Sequence, residues 1–332
     1  MILLTGDSGF IGSVLARELF RSGSIVHGID RSPEEKFPSK YKKTFGDILD
    51  RGALLQATKG ADCVIHLAAE HKDYGVTSDE YFRVNELGTI NVLECAGQSD
   101  IRKFIFFSSV AVYGDESTHR EDAVPRPNND YGRSKLAAER AVHRWVAEYP
   151  RRQAIIIRPT VVFGPSSRAN IYRLISSVTE QKFVWIGSGK QVKSIAYVEN
   201  LVDATLFLLT KMKPGVEIYN YSDYPQMTMK DLVSLIARCA GVPEPRVSIP
   251  FALALPAAKM LDFAGWLTKK NFSVTSHRII KFNTATIYSS DKLRSIGFNP
   301  KFTIEEGMRK NIDWYFDQIK SGQHFSTDSS GE

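Results

Sequence analysis

The sequence is poor in cysteine, with three in 332 residues, Cys63, Cys95 and Cys239, and it contains no CxxC pair. Secreted domains that depend on disulfides carry paired cysteines, so this scarcity predicts a reduced protein, and we expect a cytoplasmic location. No cysteine or histidine group has the spacing of a metal site, and we therefore expect no bound metal.

The chain also lacks a long uninterrupted apolar segment. Its longest apolar region, residues 249–270, contains Pro256, Lys259 and Asp262, whereas a spanning helix needs about 20 predominantly apolar residues. Because the chain opens directly on MILLTG, we expect no signal peptide. The formal net charge of +6 favours anionic partners such as a nucleotide. Nucleic acid is not expected, since no basic run has interleaved aromatic residues.

Short apolar segments alternate with amphipathic segments through the first two-thirds of the chain. MILLTG, SIVHGID and ADCVIHLAA are strand-like, and each precedes a segment with helical periodicity. Continuous apolar strands between helices are typical of a parallel sheet that is buried on both faces. The pattern therefore predicts an α/β fold with a doubly wound parallel Rossmann sheet.

A glycine-rich turn follows the first predicted strand. TGDSGFIG places Gly6, Gly9 and Gly12 where a tight turn, a close approach to a pyrophosphate and helix–strand packing need them. Asp30 ends the second predicted strand, where a carboxylate accepts ribose hydroxyls and repels a 2′-phosphate. We therefore predict NAD as the cofactor, although the neighbouring Arg31 weakens the preference over NADP.

Two further segments are candidates for cofactor contact. Asp47, after the third predicted strand, can reach the adenine amino group or can cap its own turn. The small residues of HLAA, residues 66–69, end the fourth strand and let a cofactor lie against the backbone.

The division of the chain follows from these elements. We expect a Rossmann domain over residues 1–165, with returning segments at about 193–240. A smaller, mixed α/β C-terminal substrate lobe is expected from residues 166–192 and 245–320. The polar residues 321–332 predict a flexible tail.

Three polar residues, Ser109, Tyr131 and Lys135, form a candidate catalytic group. Tyr131 and Lys135 are four residues apart on one predicted helix, so they share a face. An ammonium lowers the pKa of a nearby phenol, and Tyr131 can then move a hydroxyl proton while hydride passes to or from a nicotinamide. Ser109 ends a parallel strand at the edge where ligands bind, and can hydrogen-bond the same substrate oxygen.

The motifs TGDSGFIG, HLAA, SSVAVYG, YGRSK and RPTVVFGP together resemble the extended short-chain dehydrogenase/reductase family, the group of NAD-dependent epimerases and dehydratases. The resemblance extends from residue 1 to about residue 320. The cofactor contacts predicted from the glycine motif and implied by this resemblance are Gly6, Gly9, Phe10, Ile11, Gly12, Asp30, Asp47, Ile48, Leu67, Ala68, Ala69, Asn85, Tyr131, Lys135 and Pro159.

Two departures from the family pattern reduce the number of activities that we expect for this chain. The 4,6-dehydratases carry an Asp-Glu pair after the catalytic hydroxyl, where this chain has Val110 and Ala111. UDP-galactose epimerases carry Arg-Tyr-Phe-Asn where this chain has the segment 158–161, RPTV. The first departure argues against dehydration, and the second puts the usual UDP-sugar contact in doubt.

A closer resemblance is to the N-acetylglucosaminyl-diphospho-undecaprenol 4-epimerases of O-antigen (lipopolysaccharide) biosynthesis, through AAEHKDYG, IIRPTVVFGPSSRANIYRLI and KSIAYVEN. It implies C4 epimerisation of GlcNAc or GalNAc on undecaprenyl diphosphate, through a 4-keto sugar. Tyr131 would take the O4 proton, Ser109 would orient O4, and hydride would return to the opposite face. The predicted substrate contacts are Glu70, His71, Val110, Arg168, Asn170, Lys193 and Arg278.

Partners and location follow as expectations. The segment 249–270 joins an apolar helix to terminal lysines, which suits the cytoplasmic face of an inner membrane or a packing helix of the smaller lobe. By analogy with the family, helices 79–98 and 131–148 form a homodimer interface, or they are buried within one chain.

Three other activities stay open. A UDP-N-acetylglucosamine or UDP-glucose 4-epimerase would use the same residues. A 4-keto-6-deoxy-sugar reductase, or a relative of the hydroxysteroid dehydrogenases, would consume added NAD(P)H. A dinucleotide-sensing protein without activity is the alternative outside enzymes, and an intact trio argues against it.

Overall fold

The computed structural model describes residues 1–32, 41–72, 75–114, 118–268 and 276–322. The chain divides into two compact units. The first unit comprises Met1–Thr160, Val198–Ser222 and Tyr288–Lys301, and the second unit comprises Val161–Tyr197, Asp223–Ile287 and Phe302–Glu332.

Strands and helices alternate along the described residues. The strands are β1 (Ile2–Thr5), β2 (Val26–Asp30), β3 (Lys42–Phe45), β4 (Cys63–His66), β5 (Lys103–Phe107), β6 (Thr118–His119), β7 (Gln153–Pro159), β8 (Val161–Phe163), β9 (Trp185–Ile186), β10 (Val192–Lys193), β11 (Ile195–Tyr197), β12 (Gly215–Tyr221), β13 (Met227–Thr228), β14 (Ser248–Ile249) and β15 (Ile287–Tyr288). The α-helices are α1 (Phe10–Arg21), α2 (Arg51–Thr58), α3 (Ser78–Tyr81), α4 (Gly88–Gln98), α5 (Asp130–Ala147), α6 (Asn170–Thr179), α7 (Val198–Leu209), α8 (Met229–Ala240), α9 (Phe251–Thr268), α10 (Ser276–Asn283), α11 (Asp291–Ser295) and α12 (Ile304–Lys320).

The first unit contains a seven-stranded sheet in the order β12-β7-β5-β4-β1-β2-β3. All its neighbouring strands are parallel; β1 pairs with β2 from Ile2 opposite Val26, and with β4 from Ile2 opposite Cys63. The strand order therefore reverses between β1 and β4, the position where such sheets bind ligands at their carboxyl edge. The predicted fold class is confirmed.

One core of this unit lies between the sheet and helices α2, α4 and α5. Leu54, Val92 and Val142 come from the helices, and Phe104 and Ile156 from the sheet, and all five are fully buried. Complete burial of one such side chain stabilises the fold by roughly 1.5–3 kcal/mol. This core holds helix α5, which contains Tyr131 and Lys135, against the sheet.

The segment predicted as one helix over residues 79–98 is interrupted. It begins as α3, widens to a π-helix over Phe82–Leu87 and continues as α4. A π-helical segment inside an α-helix is rare and is frequent at functional sites. Here it contains Asn85, one of the predicted cofactor contacts.

The second unit is built from capped helices and two-stranded pairings. Thr228 and Thr303 each form a capping box, with Asp231 and Glu306, and so begin α8 and α12. Helix α8 packs against α6 and α12. The pairings are β8 with β11, β9 with β14 and β10 with β13.

The units group the chain differently from the predicted division. Residues 193–197 and 223–240, predicted to return to the Rossmann domain, lie in the second unit, where α8 packs against its helices. Residues 288–301, predicted for the smaller lobe, lie in the first unit, where Lys292 donates to the β12 carbonyl of Ile218 at 2.8 Å. The substrate-binding role of the second unit stays a prediction.

Two predictions concern the ends of the chain and the membrane. Helix α12 ends at Lys320, and residues 323–332 of the predicted tail lie outside the described residues. No helix in the described part of the chain is long and apolar enough to cross a membrane.

Candidate active site

A cleft opens at the carboxyl edge of the sheet, where β1, β2 and β4 end. Its lining combines glycine and small residues with two carboxylates. The lining residues are Gly6, Ile29, Asp30, Arg31, Gly46, Asp47, Ile48, Ala68, Ala69 and Val84. Six of the predicted cofactor contacts are among them: Gly6, Asp30, Asp47, Ile48, Ala68 and Ala69.

The glycine turn leaves no room for side chains at two of its positions. Gly6 has φ +74°, and a Cβ there would lie 2.7 Å from the backbone nitrogen of Ala68. A Cβ on Gly12 would lie 2.0 Å from the carbonyl oxygen of Gly6. Gly9 caps the N-terminus of α1, where Phe10 and Ile11 form the first turn. The bare backbone at a helix N-terminus fits a pyrophosphate.

Asp30 is held at the end of β2 by backbone donors. Its carboxylate accepts from Ser8 N at 3.2 Å and from Ser32 N at 2.8 Å. Arg31 lies 3.8 Å from Asp47, with which it forms an exposed ion pair. The carboxylate that meets the cofactor ribose in this kind of fold is therefore preorganised, which fits NAD.

Asp47 also accepts from Leu49 N at 2.9 Å, so it caps its own turn. Leu67 continues the ladder of β4 by donating to the Thr5 carbonyl at 3.1 Å. Pro159 ends β7 opposite Tyr221 and is buried. The roles of these three residues in cofactor binding stay predictions.

The trio lies in the first unit, on two neighbouring elements. Ser109 follows β5 and caps a 3₁₀ helix over Val110–Tyr113, where its Oγ accepts from Ala111 N at 3.1 Å. Tyr131 and Lys135 lie on α5, which packs against that 3₁₀ helix. A Cβ on Gly132 would lie 2.4 Å from the Ala111 carbonyl oxygen, so this close packing requires glycine.

Lys135 is buried, with 2% of its surface exposed. Its Nζ lies 4.4 Å from the ring centroid of Phe106. Burial lowers the pKa of Lys135 to about 7, and the Glu139 carboxylate, one turn further along α5, opposes this shift. Tyr131 is half-buried, and its ring centroid lies 6.0 Å from that of Tyr81.

Glu139 belongs to a buried ion pair that the sequence did not predict. Arg158 of β7 donates to both of its carboxylate oxygens, at 2.9 and 2.6 Å. Ser108 donates to the same carboxylate at 2.5 Å, and Arg158 also donates to Tyr113 Oη at 2.7 Å. Burial opposes the charge of Arg158, but the bonds to Glu139 outweigh it and raise the pKa of Arg158.

Asn85 uses its amide to hold the backbone around the trio. Its Oδ1 accepts from Glu70 N at 2.8 Å, and its Nδ2 donates to Glu70 O at 2.9 Å and to Ser134 Oγ at 2.9 Å. Ser134 in turn donates to the Tyr131 carbonyl at 2.8 Å. The observed contacts of Asn85 are thus structural, and its predicted contact with the cofactor stays a prediction.

The predicted substrate contacts divide between the units. Glu70 and His71 follow β4, and the Glu70 carboxylate accepts from His71 N at 3.0 Å. In the second unit, Arg168 donates to Gln318 at 3.4 Å and Lys193 to the Thr284 carbonyl at 2.6 Å. The remaining three predicted contacts lie on helices. Val110 begins the 3₁₀ helix and Asn170 begins α6, and Arg278 lies on α10 with its side chain outside the described part of the chain.

The sequence matches the model of the "NAD dependent epimerase/dehydratase family" over residues 2–221. This span covers β1 to β12 and includes the cleft and the trio. The chain belongs to this family. The predicted family and the NAD cofactor are confirmed, as is the prediction of an NAD-dependent enzyme at the level of this family.

Two relatives extend the likeness over nearly the whole chain. This protein is 34% identical over 321 residues to the "N-acetyl-alpha-D-glucosaminyl-diphospho-ditrans,octacis-undecaprenol 4-epimerase" of Escherichia coli O157:H7, and the match covers 96% of each chain. It is 29% identical over 338 residues to the "dTDP-D-glucose 4,6-dehydratase" of Homo sapiens, covering 95% of this chain and 89% of that one.

A solved structure of MoeE5 with UDP-glucose and NAD has the same fold. It matches with a TM-score of 0.76 and 25% identity, over 96% of this chain and 99% of that chain. That structure contains NAD and a sugar carried on a diphosphate, UDP-glucose.

Proposed function

We propose that this protein is an NAD-dependent 4-epimerase of GlcNAc or GalNAc carried on undecaprenyl diphosphate. The observation that carries the acid/base chemistry is the placement of Tyr131 and the buried Lys135 on one helix of the unit that contains the cofactor cleft. The carrier is supported by the 34% identity to the lipid-linked sugar epimerase.

The residues of the cleft would hold the cofactor by their backbone and by Asp30. Gly6 and Gly9 would meet the pyrophosphate, and Asp30 the ribose of the adenosine half. When bound, NAD⁺ supplies the hydride acceptor that allows C4 to be oxidised and reduced again. Val110 stands where the dehydratases carry an acidic residue, so the trio offers no second acid for water elimination.

Tyr131 is the group proposed to remove and return the proton of O4. A phenolate next to an ammonium is favoured over a phenol, and Lys135 supplies that charge when it is protonated. The Ser109 oxygen accepts from Ala111 N, which leaves its O–H proton to donate to O4. The sugar oxygen would therefore be oriented by one hydroxyl and deprotonated by the other.

The substrate contacts in the second unit are part of the same proposal. Arg168 and Lys193 carry the charges that pair with diphosphate oxygens, and guanidinium groups suit this role because they donate from a planar fork. Asn170 and Arg278 are the other substrate contacts proposed in this unit. The substrate contacts proposed in the first unit are Glu70, His71 and Val110.

Helix α9 supports a contact with a membrane surface. Leu253 is 66% exposed and Met260 is 74% exposed, and Phe251 and Leu261 are exposed on the same helix. Ala254 and Ala258 pack against Ile279, and Leu253 and Met260 lie about 100–160° around the helix from these two alanines. An exposed apolar helix face is suited to the headgroup region of a bilayer, where a lipid-linked sugar would be met.

A homodimer is proposed on the family analogy alone. Much of the apolar surface of α4 and α5 packs into the core of its own chain, including Val92, Cys95 and Val142. Leu87, 48% exposed beside α4, is the kind of residue that such an interface would cover.

The test is to give the purified protein a catalytic amount of NAD⁺ and either UDP-N-acetylglucosamine or the undecaprenyl-diphosphate-linked sugar. Conversion of the lipid-linked sugar alone is the expected result. Conversion of the UDP-sugar would favour the second candidate, a UDP-sugar 4-epimerase, which the likeness to MoeE5 with UDP-glucose supports. Turnover that requires added NAD(P)H would indicate a 4-ketosugar reductase instead.

A further inference from the structure

We propose that His66 and Thr89 are positioning residues for the cofactor cleft and for the catalytic helix. They form the middle of a hydrogen-bond chain from Thr5 at the end of β1 to Asn85 in the π-helix. We call this the β1–α5 chain, because Asn85 continues it through Ser134 to α5. Its members all belong to the first unit.

The bonds of the β1–α5 chain are short and buried. Thr5 Oγ1 lies 2.6 Å from His66 Nδ1, and His66 Nε2 lies 3.0 Å from Thr89 Oγ1. Thr89 Oγ1 donates to the Asn85 carbonyl at 2.6 Å. His66 and Thr5 have no exposed surface, and Thr89 and Asn85 are 1% exposed.

The donors and acceptors define one tautomer of His66. The hydroxyl of Thr89 has one proton, and the Asn85 carbonyl can only accept, so that proton is used there. His66 Nε2 must therefore carry a proton and donate to Thr89. Its Nδ1 is then the acceptor for the Thr5 hydroxyl, whose oxygen accepts from Ala68 N at 3.3 Å.

The environment of the ring keeps His66 neutral. Burial lowers the pKa of His66 to about 3, and the nearby ammonium of Lys135 acts in the same direction. The ring stacks on Phe106 with centroids 5.7 Å apart and meets Phe104 edge-on at 6.0 Å. Both ring nitrogens are bonded, to Thr5 and Thr89, and the residue has no exposed surface, so His66 offers no nitrogen to a substrate and its role is positioning.

Both ends of the β1–α5 chain reach residues that shape the site. At one end, Ala68 N is bound by Thr5 and Ala68 lines the cleft. At the other end, Asn85 clamps the backbone of Glu70 and bonds Ser134, which holds the carbonyl of Tyr131. Breaking the middle of the chain would leave buried donors and acceptors unpaired, and the backbone at both ends would shift to satisfy them.

The decisive variant is Thr89→Val, which keeps the shape and removes the hydroxyl. We expect NAD⁺ to bind roughly 10- to 100-fold more weakly by calorimetry, and Thr89→Ser to restore binding to within about threefold. Thr205→Val is the matched control, because Thr205 is also fully buried and donates to the carbonyl four residues earlier, that of Leu201, at 2.8 Å. NAD⁺ affinity in Thr89→Val equal to that in Thr205→Val would overturn the proposal.

A second measurement on the unmodified protein keeps the proposal testable if Thr89→Val does not fold. Nitrogen-15 spectra of the histidine rings should show His66 as the Nε2–H tautomer, with unchanged shifts from pH 8 to pH 5. Titration of this ring within that range, or an Nδ1–H tautomer, would contradict the proposed hydrogen bonds. Neither measurement requires a sugar, so both remain valid if the proposed substrate is wrong.

Discussion

The surroundings of α5 in the first unit and helix α9 in the second unit place charged and apolar groups in opposite ways. In the first unit, Lys135, Glu139 and Arg158 are each 2% exposed and are held by named partners. In the second unit, Leu253 and Met260 are 66% and 74% exposed. The first unit therefore buries charge beside α5 at a desolvation cost, whereas α9 of the second unit leaves large apolar side chains exposed.

This contrast predicts that substitutions in the first unit act on chemistry or stability, and that those on α9 act on binding to surfaces. The largest effect is expected for Tyr131→Phe. Loss of a general acid/base lowers kcat by about 10²- to 10⁴-fold. Tyr149→Phe, an exposed tyrosine just after α5, is the control that should retain activity. Near-normal turnover of Tyr131→Phe would remove Tyr131 as the proton carrier.

The next effect in size concerns the buried ion pair. Arg158→Met leaves the Glu139 carboxylate buried without its main partner, which we expect to lower the free energy of unfolding by about 3–5 kcal/mol. Arg133→Met breaks an exposed pair with Asp130 and should change it by less than about 1 kcal/mol. Denaturant titration of both variants measures the difference, and equal losses would show that burial does not determine the value of the pair.

A smaller effect is expected in the pH dependence of stability. The pKa of Lys135 is lowered to about 7 in the folded protein, against about 10.4 in an unfolded chain. Between these values the unfolded state binds more protons at this site, so the contribution of Lys135 makes stability rise with pH. Unfolding titrations near pH 7 and pH 9.5 should show a smaller rise for Lys135→Met than for the unmodified protein. An identical rise in both would mean that Lys135 keeps an ordinary pKa.

The smallest effect is expected on α9. Met260→Glu should weaken binding to vesicles of anionic phospholipid by roughly tenfold, because it removes an apolar side chain from the interface and adds like charge. Ile25→Glu changes a residue of similar exposure, 72%, in the first unit and should leave vesicle binding unchanged. A flotation assay with these vesicles measures the binding of both variants. Equal loss in the two variants would indicate general charge repulsion and contradict a docking role for α9.

The features predicted from sequence are those set by local geometry. Gly6 and Gly12 were identified by spacing, because a strand–turn–helix that binds a pyrophosphate restricts side chains at fixed intervals. Tyr131 and Lys135 were predicted to share one helix face because they are four residues apart, and both lie on α5. In both cases, the physical constraint acts over a few neighbouring residues.

The features that were missed depend on packing between distant segments. Glu139 and Arg158 are 19 residues apart and meet only when α5 lies on β7. His66 ends an apolar strand, and its two hydrogen bonds connect it to residues 61 and 23 positions away. A polar residue inside a strand pattern that otherwise predicts full burial is the signal that could have drawn attention to His66.

The π-helix over Phe82–Leu87 also has a consequence for how this sequence can change in length. A π-helical turn contains an extra residue, so this segment is equivalent to an insertion within the helix. Deleting one residue there would convert the widened turn into ordinary α-helix and keep the segments on either side in register. Thr89 and Val92 would then keep their buried positions. A deletion within α4 would instead rotate the following positions by about 100°, so a single-residue deletion is better tolerated in the π-helix than in α4.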